Sequence, residues 1–440
     1  MNKQLILLLV LVLPLAGRSA DFIANGLQWH DEQGRPVSAH GANIIYDQGR
    51  YWLFGEYKTD SANVFTGFSC YSSTDLCNWH FERIVLSAQK DGRLGPNRVG
   101  ERPKVLHCPT TGEYVMLLHS DNLRYKDPCV AYATSPTING EYTFRGPLLY
   151  KGQIIKRWDI GSFVDNDGQA YLLIHHGRIY RLAPDFHSVD SCIVTDVKGV
   201  GESPAMLHED DTYYWLSSHT TSWERNDNIY FTAKSLSGPW TAQGCFAPEG
   251  TVTWNSQCSF VLPLQSESGE KRFMYMGDRW SFPRQRSAAT YVWLPLLVQN
   301  GRLSLPEYHQ FWNPATGNPV HLSLRQIHKS WTGEKPGDDC VVKFKGGQIA
   351  INGKTNDHGA YAEITITDKK GHKVVDTSVD FYSAVSSRDV RYLSPVLPHG
   401  KYTLSIRVSQ MKPNWSDKYR SDYGSKGYEV NIDSICQVLP

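Results

Sequence analysis

The 440-residue chain has almost no charge imbalance, with 45 Lys and Arg against 44 Asp and Glu. That near-neutrality offers no electrostatic attraction to nucleic acid or to an anionic membrane, so neither is expected as a partner. Long hydrophobic runs are also scarce. The apolar stretch Leu5–Leu15 is too short for a membrane span, which takes about 20 residues. It follows Lys3 and precedes Ala16-Gly17-Arg18-Ser19-Ala20, the pattern of a secretory signal peptide over residues 1–20. The mature chain is expected to begin near Asp21 and to work outside the cytoplasm, secreted or periplasmic. No Cys follows the run, so no lipid or membrane anchor is expected.

Metal-type cysteine spacing is missing as well. The nine Cys include no repeated Cys-x-x-Cys, and their odd number leaves at least one unpaired or paired between chains. Cys129 and Cys258 sit in apolar strands and read as small buried hydrophobes. Asp165 and Asp167 resemble calcium ligands, but a turn between two strands accounts for them. His175 and His176 lack a supporting ligand motif. No metal site and no required cofactor are expected, and a structural cation is without support. No amphipathic helix interrupts residues 21–313.

Aromatic strands are what the chain has in quantity, with 13 Trp and 24 Tyr. Five β-rich runs are each followed about a dozen residues later by an aromatic strand ending in polar groups. These second strands are Tyr51–Glu56, Tyr114–Asp121, Tyr171–His176, Tyr213–His219 and Phe273–Asp278. Repeats of short strands at roughly 40–60 residues predict a β-propeller, here five-bladed and spanning residues 21–313. Trp312-Asn313-Pro314 through Pro319 reads as a linker. Strand-like runs with intervening turns over residues 320–440 predict a β-sandwich accessory domain. The fold class is therefore all-β. Trp331, Trp415, Tyr419 and Tyr423 of the sandwich could stack on sugar, although packing against the propeller is the plainer reading.

In each blade the first strand lines the channel and the second runs antiparallel to it. First-strand starts and second-strand ends therefore share one face. The starts are His40, Glu101, Asp159, Glu202 and Gln257. The ends include Glu56, His119, Asp121, His175, His176, His219, Thr220 and Asp278. A ring of carboxylates on one face is costly to bury without purpose, and marks a site. Salt bridges to Arg102 or Arg279 are the structural alternative, and Asp278-Arg279 reads as an ion pair bracing the site. Paired carboxylates on a rigid scaffold suit glycoside hydrolysis, with one acid protonating the leaving oxygen and a second group activating water.

The segments Asp159-Ile160-Gly161-Ser162-Phe163-Val164-Asp165-Asn166-Asp167-Gly168 and Gly201-Glu202-Ser203-Pro204 resemble motifs of glycoside hydrolase family 43. Ala39-His40-Gly41, Gly55-Glu56-Tyr57-Lys58, Glu101-Arg102-Pro103, His119-Ser120-Asp121, His219-Thr220-Thr221-Ser222-Trp223, Asn255-Ser256-Gln257 and Gly277-Asp278-Arg279-Trp280 are similar to its exo-β-1,3-galactanase branch, subfamily 24. The resemblance implies an inverting exo-hydrolase of β-1,3-galactan chains, an oligo- or polysaccharide substrate, and Glu202 as general acid. It implies that Asp159 orients Glu202, and that Glu56, Glu101, Tyr125, Thr220, Trp223 and Gln257 hold the terminal galactose. His40 and Asp278 line the same face and join the substrate-binding set. The first-blade Asp that serves most of the family as base is absent, with His40 in its stretch. Gln257 is the substitute that the resemblance implies, Glu101 is the stronger base on physical grounds, and His40 is a third contender. The alternatives are another family 43 exo-glycosidase, acting on α-L-arabinofuranosides or galactofuranosides, and a sugar-binding propeller without catalysis.

Overall fold

The computed structural model describes residues 20–265, 271–417 and 420–439. The N-terminal apolar run, the turn at 266–269 and Tyr419 lie outside them. Five four-stranded antiparallel blades follow one another in chain order. Their inner strands are His40–Asp47, Arg98–His107, Ile160–Val164, Glu202–Glu209 and Gln257–Gln265. Their second strands are Arg50–Glu56, Tyr114–Asn122, Ala170–Ile174, Thr212–Ser218 and Lys271–Arg279. The predicted starts and ends thus fall within a few residues of the observed ones. The third blade carries two extra short strands, Leu149–Tyr150 and Gln153–Ile154.

Alternation builds the blades. Successive side chains of a strand face opposite ways, so each central strand presents apolar groups to both neighbouring blades. Leu53, Phe54, Met116, Leu117, Leu172, Leu173, Trp215, Leu216, Tyr275 and Met276 are fully buried in this way. Tight hairpins set the register. Asn300-Gly301, both left-handed at φ 53° and 72°, join Gln299 to Arg302, the primed turn that matches strand twist.

Among the described residues no strand is exchanged to close the ring. Ile23–Ala24 instead pairs with Phe311–Trp312 beside the fifth blade. The Asn25 amide clamps this join, donating to the carbonyls of Trp293 and His309, both at 2.8 Å, and accepting from the Trp293 N–H at 2.6 Å. The linker is a tight turn in which Asn313 N–H donates to Asn318 O at 2.9 Å.

The C-terminal strands wrap one apolar core that includes Phe344, Ile351, Ile364, Tyr392, Leu404 and Ile435. The longest of these strands is Asp339–Thr355. It bends at Gly346-Gly347, pairing first with Leu397–Val408 and then with Val430–Val438 and Ser387–Leu393. Two of the aromatic candidates pack inward: Trp331 lies against this core, and Trp415 is buried beneath Tyr423. The sandwich sits directly on the propeller. Ser281 Oγ donates to Asp380 Oδ2 at 2.8 Å, Tyr382 Oη donates to Glu224 Oε2 at 2.5 Å, and Leu27 and Phe311 share a core with Val390 and Leu393.

All nine cysteines are free thiols. Cys129 and Cys258 are fully buried, as their apolar setting predicted. Asp165 is held by Tyr213 Oη at 2.7 Å and His208 Nδ1 at 2.7 Å, a hairpin turn tied to the next blade.

Candidate active site

A repeated backbone device positions the site. Near their starts, four inner strands slip register against the second strand: after His40, after Glu101, after Glu202 and after Cys258. In the first three the next residue is left-handed: Gly41 at φ 60°, Arg102 at 52° and Ser203 at 55°. The bulge re-aims the preceding side chain into the channel mouth. Gly41 is required there, because a Cβ would stand 2.3 Å from Glu56 Oε1. Asp159 is itself left-handed at φ 38°. Such conformations cost about 1–3 kcal/mol each and concentrate at functional sites.

Gln257 follows a second strained element. Val252 through Asn255 form a left-handed turn with φ 49–56°, including two β-branched residues. Its carbonyls at Trp254 and Asn255 accept from the Arg279 guanidinium, both at 3.0 Å. Arg279 therefore does not pair with Asp278, contrary to the expected brace. Neighbours on a strand face opposite ways, and Asp278 turns to the channel, accepting from Gly41 N–H at 3.0 Å and meeting His40 Nδ1 at 2.9 Å. His40 is fully buried and stacks on Tyr291.

Arg102 is the hub. Its Nε meets Asp159 Oδ1 at 2.7 Å, and its Nη2 donates to Gln257 Oε1 at 2.8 Å and to Ser203 Oγ at 2.6 Å. Its backbone N–H donates to Glu56 Oε1 at 3.0 Å. Asp159 also accepts from the Ser203 N–H at 2.6 Å, which ties it to the residue after Glu202. Glu202 Oε1 lies 3.3 Å from Trp158 Nε1, and the Trp158 indole stacks on His175. His175 is kept neutral, since burial lowers its pKa to about 3. It is not placed to hold a metal cation, and among the described residues no cluster of His, Cys, Asp or Glu fits one.

The Gln257 amide is oriented at both ends. Its oxygen accepts from Arg102 and from Trp280 Nε1 at 2.8 Å, and its nitrogen donates to Ser218 Oγ at 2.9 Å. An imidic tautomer would put a hydroxyl proton on an oxygen already facing two N–H donors. The arrangement therefore favours the ordinary amide.

Glu101 sits in a different setting. Its Oε1 accepts from Asn63 Nδ2 and Tyr125 Oη, both at 2.7 Å, and its Oε2 meets His119 Nδ1 at 3.1 Å. Burial opposes its charge, but the hydrogen bond and charge of His119, with Lys58 and Asn63, hold it well below the usual carboxylate range. Burial likewise opposes charge on His119, yet its bonds to Asp121 and Glu101 raise its pKa to about 9. Burial pushes Glu56 upward; the Lys58 ammonium against its Oε2 opposes this, and the Glu101 charge adds to it. Lys58 also lies 5.3 Å from the Trp223 ring and 5.4 Å from the Trp280 ring. Trp223 stacks parallel to Phe282, completing an aromatic wall. Thr220 is exposed, two residues beyond Ser218, the cross-strand partner of Glu202.

Ten positions were expected at this face from sequence. Hydrogen bonds, ring contacts and strand register tie Glu56, Glu101, Tyr125, Asp159, Glu202, Trp223, Gln257, His40 and Asp278 into one network, with Thr220 at its rim. Lys58, Asn63, Trp158, Ser203 and Trp280 were not assigned roles in it, and Arg102, named from sequence only as a salt-bridge partner for the channel carboxylates, pairs with Asp159. Arg102 and Lys58 carried a usable signal, a cation one or two residues beyond a channel carboxylate. Deeper in the channel, buried Lys104 donates to the carbonyls of Gly41 and Ala42 at 2.7 and 2.8 Å.

A five-bladed propeller with such a carboxylate array at one channel mouth defines a glycoside hydrolase. The family model for glycosyl hydrolases family 43 matches residues 34–248. A candidate exo-β-1,3-galactanase from Bifidobacterium bifidum S17 shares 34% identity, covering 64% of this chain and 95% of its own, with a TM-score of 0.60. An exo-β-1,3-galactanase from Phanerochaete chrysosporium, solved with β-1,3-galactotriose, shares 26% identity over 95% of this chain and 100% of its own, with a TM-score of 0.70. One from Clostridium thermocellum shares 27% identity over 83% of this chain and 77% of its own, with a TM-score of 0.62. No curated protein sequence matched. The chain belongs to glycosyl hydrolase family 43.

Proposed function

We propose that this hydrolase is exo-acting on β-1,3-galactan chains, releases galactose, and inverts configuration, with Glu202 as the general acid. The observation that carries this reading is the asymmetry of the carboxylates. Asp159 is paired with Arg102 and Glu101 is held ionised, while Glu202 stands at the mouth, where its Oε1 accepts from the Trp158 indole N–H at 3.3 Å. With Glu101 held as the anion and Asp159 engaged by Arg102, Glu202 is the carboxyl assigned to carry the proton that passes to the leaving oxygen. Similarity to galactanases supports the substrate.

In this mechanism Asp159 fixes Ser203 and hence the orientation of Glu202. Gln257 holds the attacking water through its remaining amide N–H. Glu101, with a lone pair to spare after its three bonds, accepts the proton. Its weak basicity suffices because an oxocarbenium-like transition state makes the water acidic as the bond forms. Glu56, Tyr125 and Thr220 bind sugar hydroxyls, and Trp223, backed by buried Trp280, stacks on the ring. His40 and Asp278 brace the wall behind. We also propose export, on the N-terminal pattern; mass analysis of culture fractions for a chain beginning near Asp21 tests it.

The direct test is incubation with β-1,3-galactobiose and, in parallel, with aryl α-L-arabinofuranosides. Galactose from the first and little arabinose from the second is expected. The opposite preference would overturn the substrate, and no hydrolysis of either would leave a sugar-binding propeller.

A further inference from the structure

The C-terminal sandwich carries a second concave surface. A groove of about 530 Å³ is lined by Arg325, Ile327, Lys343, Phe344, Lys345, Lys369, Lys401, Tyr402, Thr403 and Gln437. Such a volume lies within the range of ligand sites, about 300–1,000 Å³. Half of this lining is cationic, whereas Lys and Arg make up 45 of the 440 residues. No acidic residue lines it.

Among the described residues the cations also lack acidic partners. Among the described residues none of the five makes an ion pair, although Lys373 on the neighbouring strand pairs with Asp376 at 2.8 Å. Arg325 donates to the neutral Gln437 amide at 2.6 Å. Lys345 and Lys401 are direct cross-strand partners. Like charges facing each other across a sheet destabilise it. A fold that keeps this pair, beside the Gly346-Gly347 bend, retains a local cost that a bound anion would relieve. Phe344 and Tyr402, the adjacent cross-strand pair, stack with centroids 5.5 Å apart and turn into the sandwich core, a buried floor under the cations. Cations spread over several strands suit a chain that carries negative charge at intervals.

We propose that this groove binds a carboxylate-bearing glycan, holding acidic sugar units while the propeller works on a neutral galactan chain. The choice of a glycan rests on the function proposed above; the charge and shape of the groove do not. The ammonium groups of Lys343, Lys345, Lys369 and Lys401 pair with sugar carboxylates, and the Arg325 guanidinium closes one end.

The test uses the full chain and its Lys345→Gln/Lys401→Gln variant, titrated with oligogalacturonate, neutral β-1,3-galacto-oligosaccharide, dextran sulfate and a single-stranded oligonucleotide. Oligogalacturonate is expected to bind, to weaken steeply with salt, and to lose at least about tenfold in affinity in the variant. The variant's melting temperature is expected to match or exceed the parent's, since a like-charge pair is removed. Unchanged affinity in the variant would overturn the proposal. Equal or tighter binding of dextran sulfate or the oligonucleotide would also overturn it, showing a general polyanion surface. Galactose release from β-1,3-galactobiose is read in both proteins. Its absence in the parent would refute the hydrolase reading, while the binding comparison would still judge the groove.

Discussion

Replacing Arg102 with Met removes the hub of the site without changing its backbone. Both side chains are unbranched at Cβ, so the left-handed conformation at φ 52° costs the same in each. What is lost is the ion pair with Asp159 at 2.7 Å and the donors to Gln257 and Ser203. Both partners of the pair are about nine-tenths or more buried, so Asp159 is left as an uncompensated charge. Breaking a buried pair in this way costs about 3–5 kcal/mol. At roughly 2–4 °C per kcal/mol, the melting temperature should fall by about 10 °C. Asp159→Asn keeps an acceptor for the Ser203 N–H and a residue type that tolerates positive φ, yet it strands Arg102. The double variant strands neither, so its cost should be smaller than the sum by roughly 1–3 kcal/mol. Chemical denaturation of the four proteins measures this coupling. Additivity within about 0.5 kcal/mol, or a loss under about 1 kcal/mol for Arg102→Met, would refute the buried hub.

Glu202→Gln should lower turnover by about 10²–10⁴ with little change in the Kd for galacto-oligosaccharide, measured by calorimetry. Gln257→Ala and Glu101→Gln should both lower kcat, but only the latter removes the proton acceptor, so added azide should restore turnover to Glu101→Gln alone. The pH dependence of stability has two opposed parts. His119 is raised from 6.5 to about 9, so its contribution is complete below pH 6.5 and is lost as pH climbs through 9. Lys104 is lowered from 10.5 to about 7, chiefly by burial and then by the Arg102 charge, so the folded state gains from about pH 7 to 10.5. The two offset each other between pH 7 and 9. Lys104→Met should unmask a fall in stability across that window, and His119→Asn a rise, both read by urea denaturation at each pH.

The propeller was legible because its central strands need apolar groups on both faces, and because turns such as the one at Asp165 and Asp167 punctuate them. The site face was legible for the same geometric reason, since inner-strand starts and second-strand ends must meet. The failures lie where neighbours in sequence diverge in space. Asp278 and Arg279 read as an ion pair, but strand alternation sends one to the channel and the other to the carbonyls of a left-handed turn. Arg102 follows Glu101 and should face away from it, yet a bulge turns its guanidinium toward Asp159 and Gln257. Bulges of this kind leave no periodic trace in sequence. Gly346-Gly347 bends the strand Asp339–Thr355 from Leu397–Val408 toward Val430–Val438 and Ser387–Leu393. Trp415 looked available for sugar, but a hairpin covers it with Tyr423.

The central claim is that Glu202 and a water held opposite it invert the anomeric centre of a terminal galactose. Proton NMR of the first product formed from β-1,3-galactotriose tests it most directly. The account predicts α-galactose as the initial signal, converting later to the equilibrium mixture. Initial release of β-galactose would contradict it.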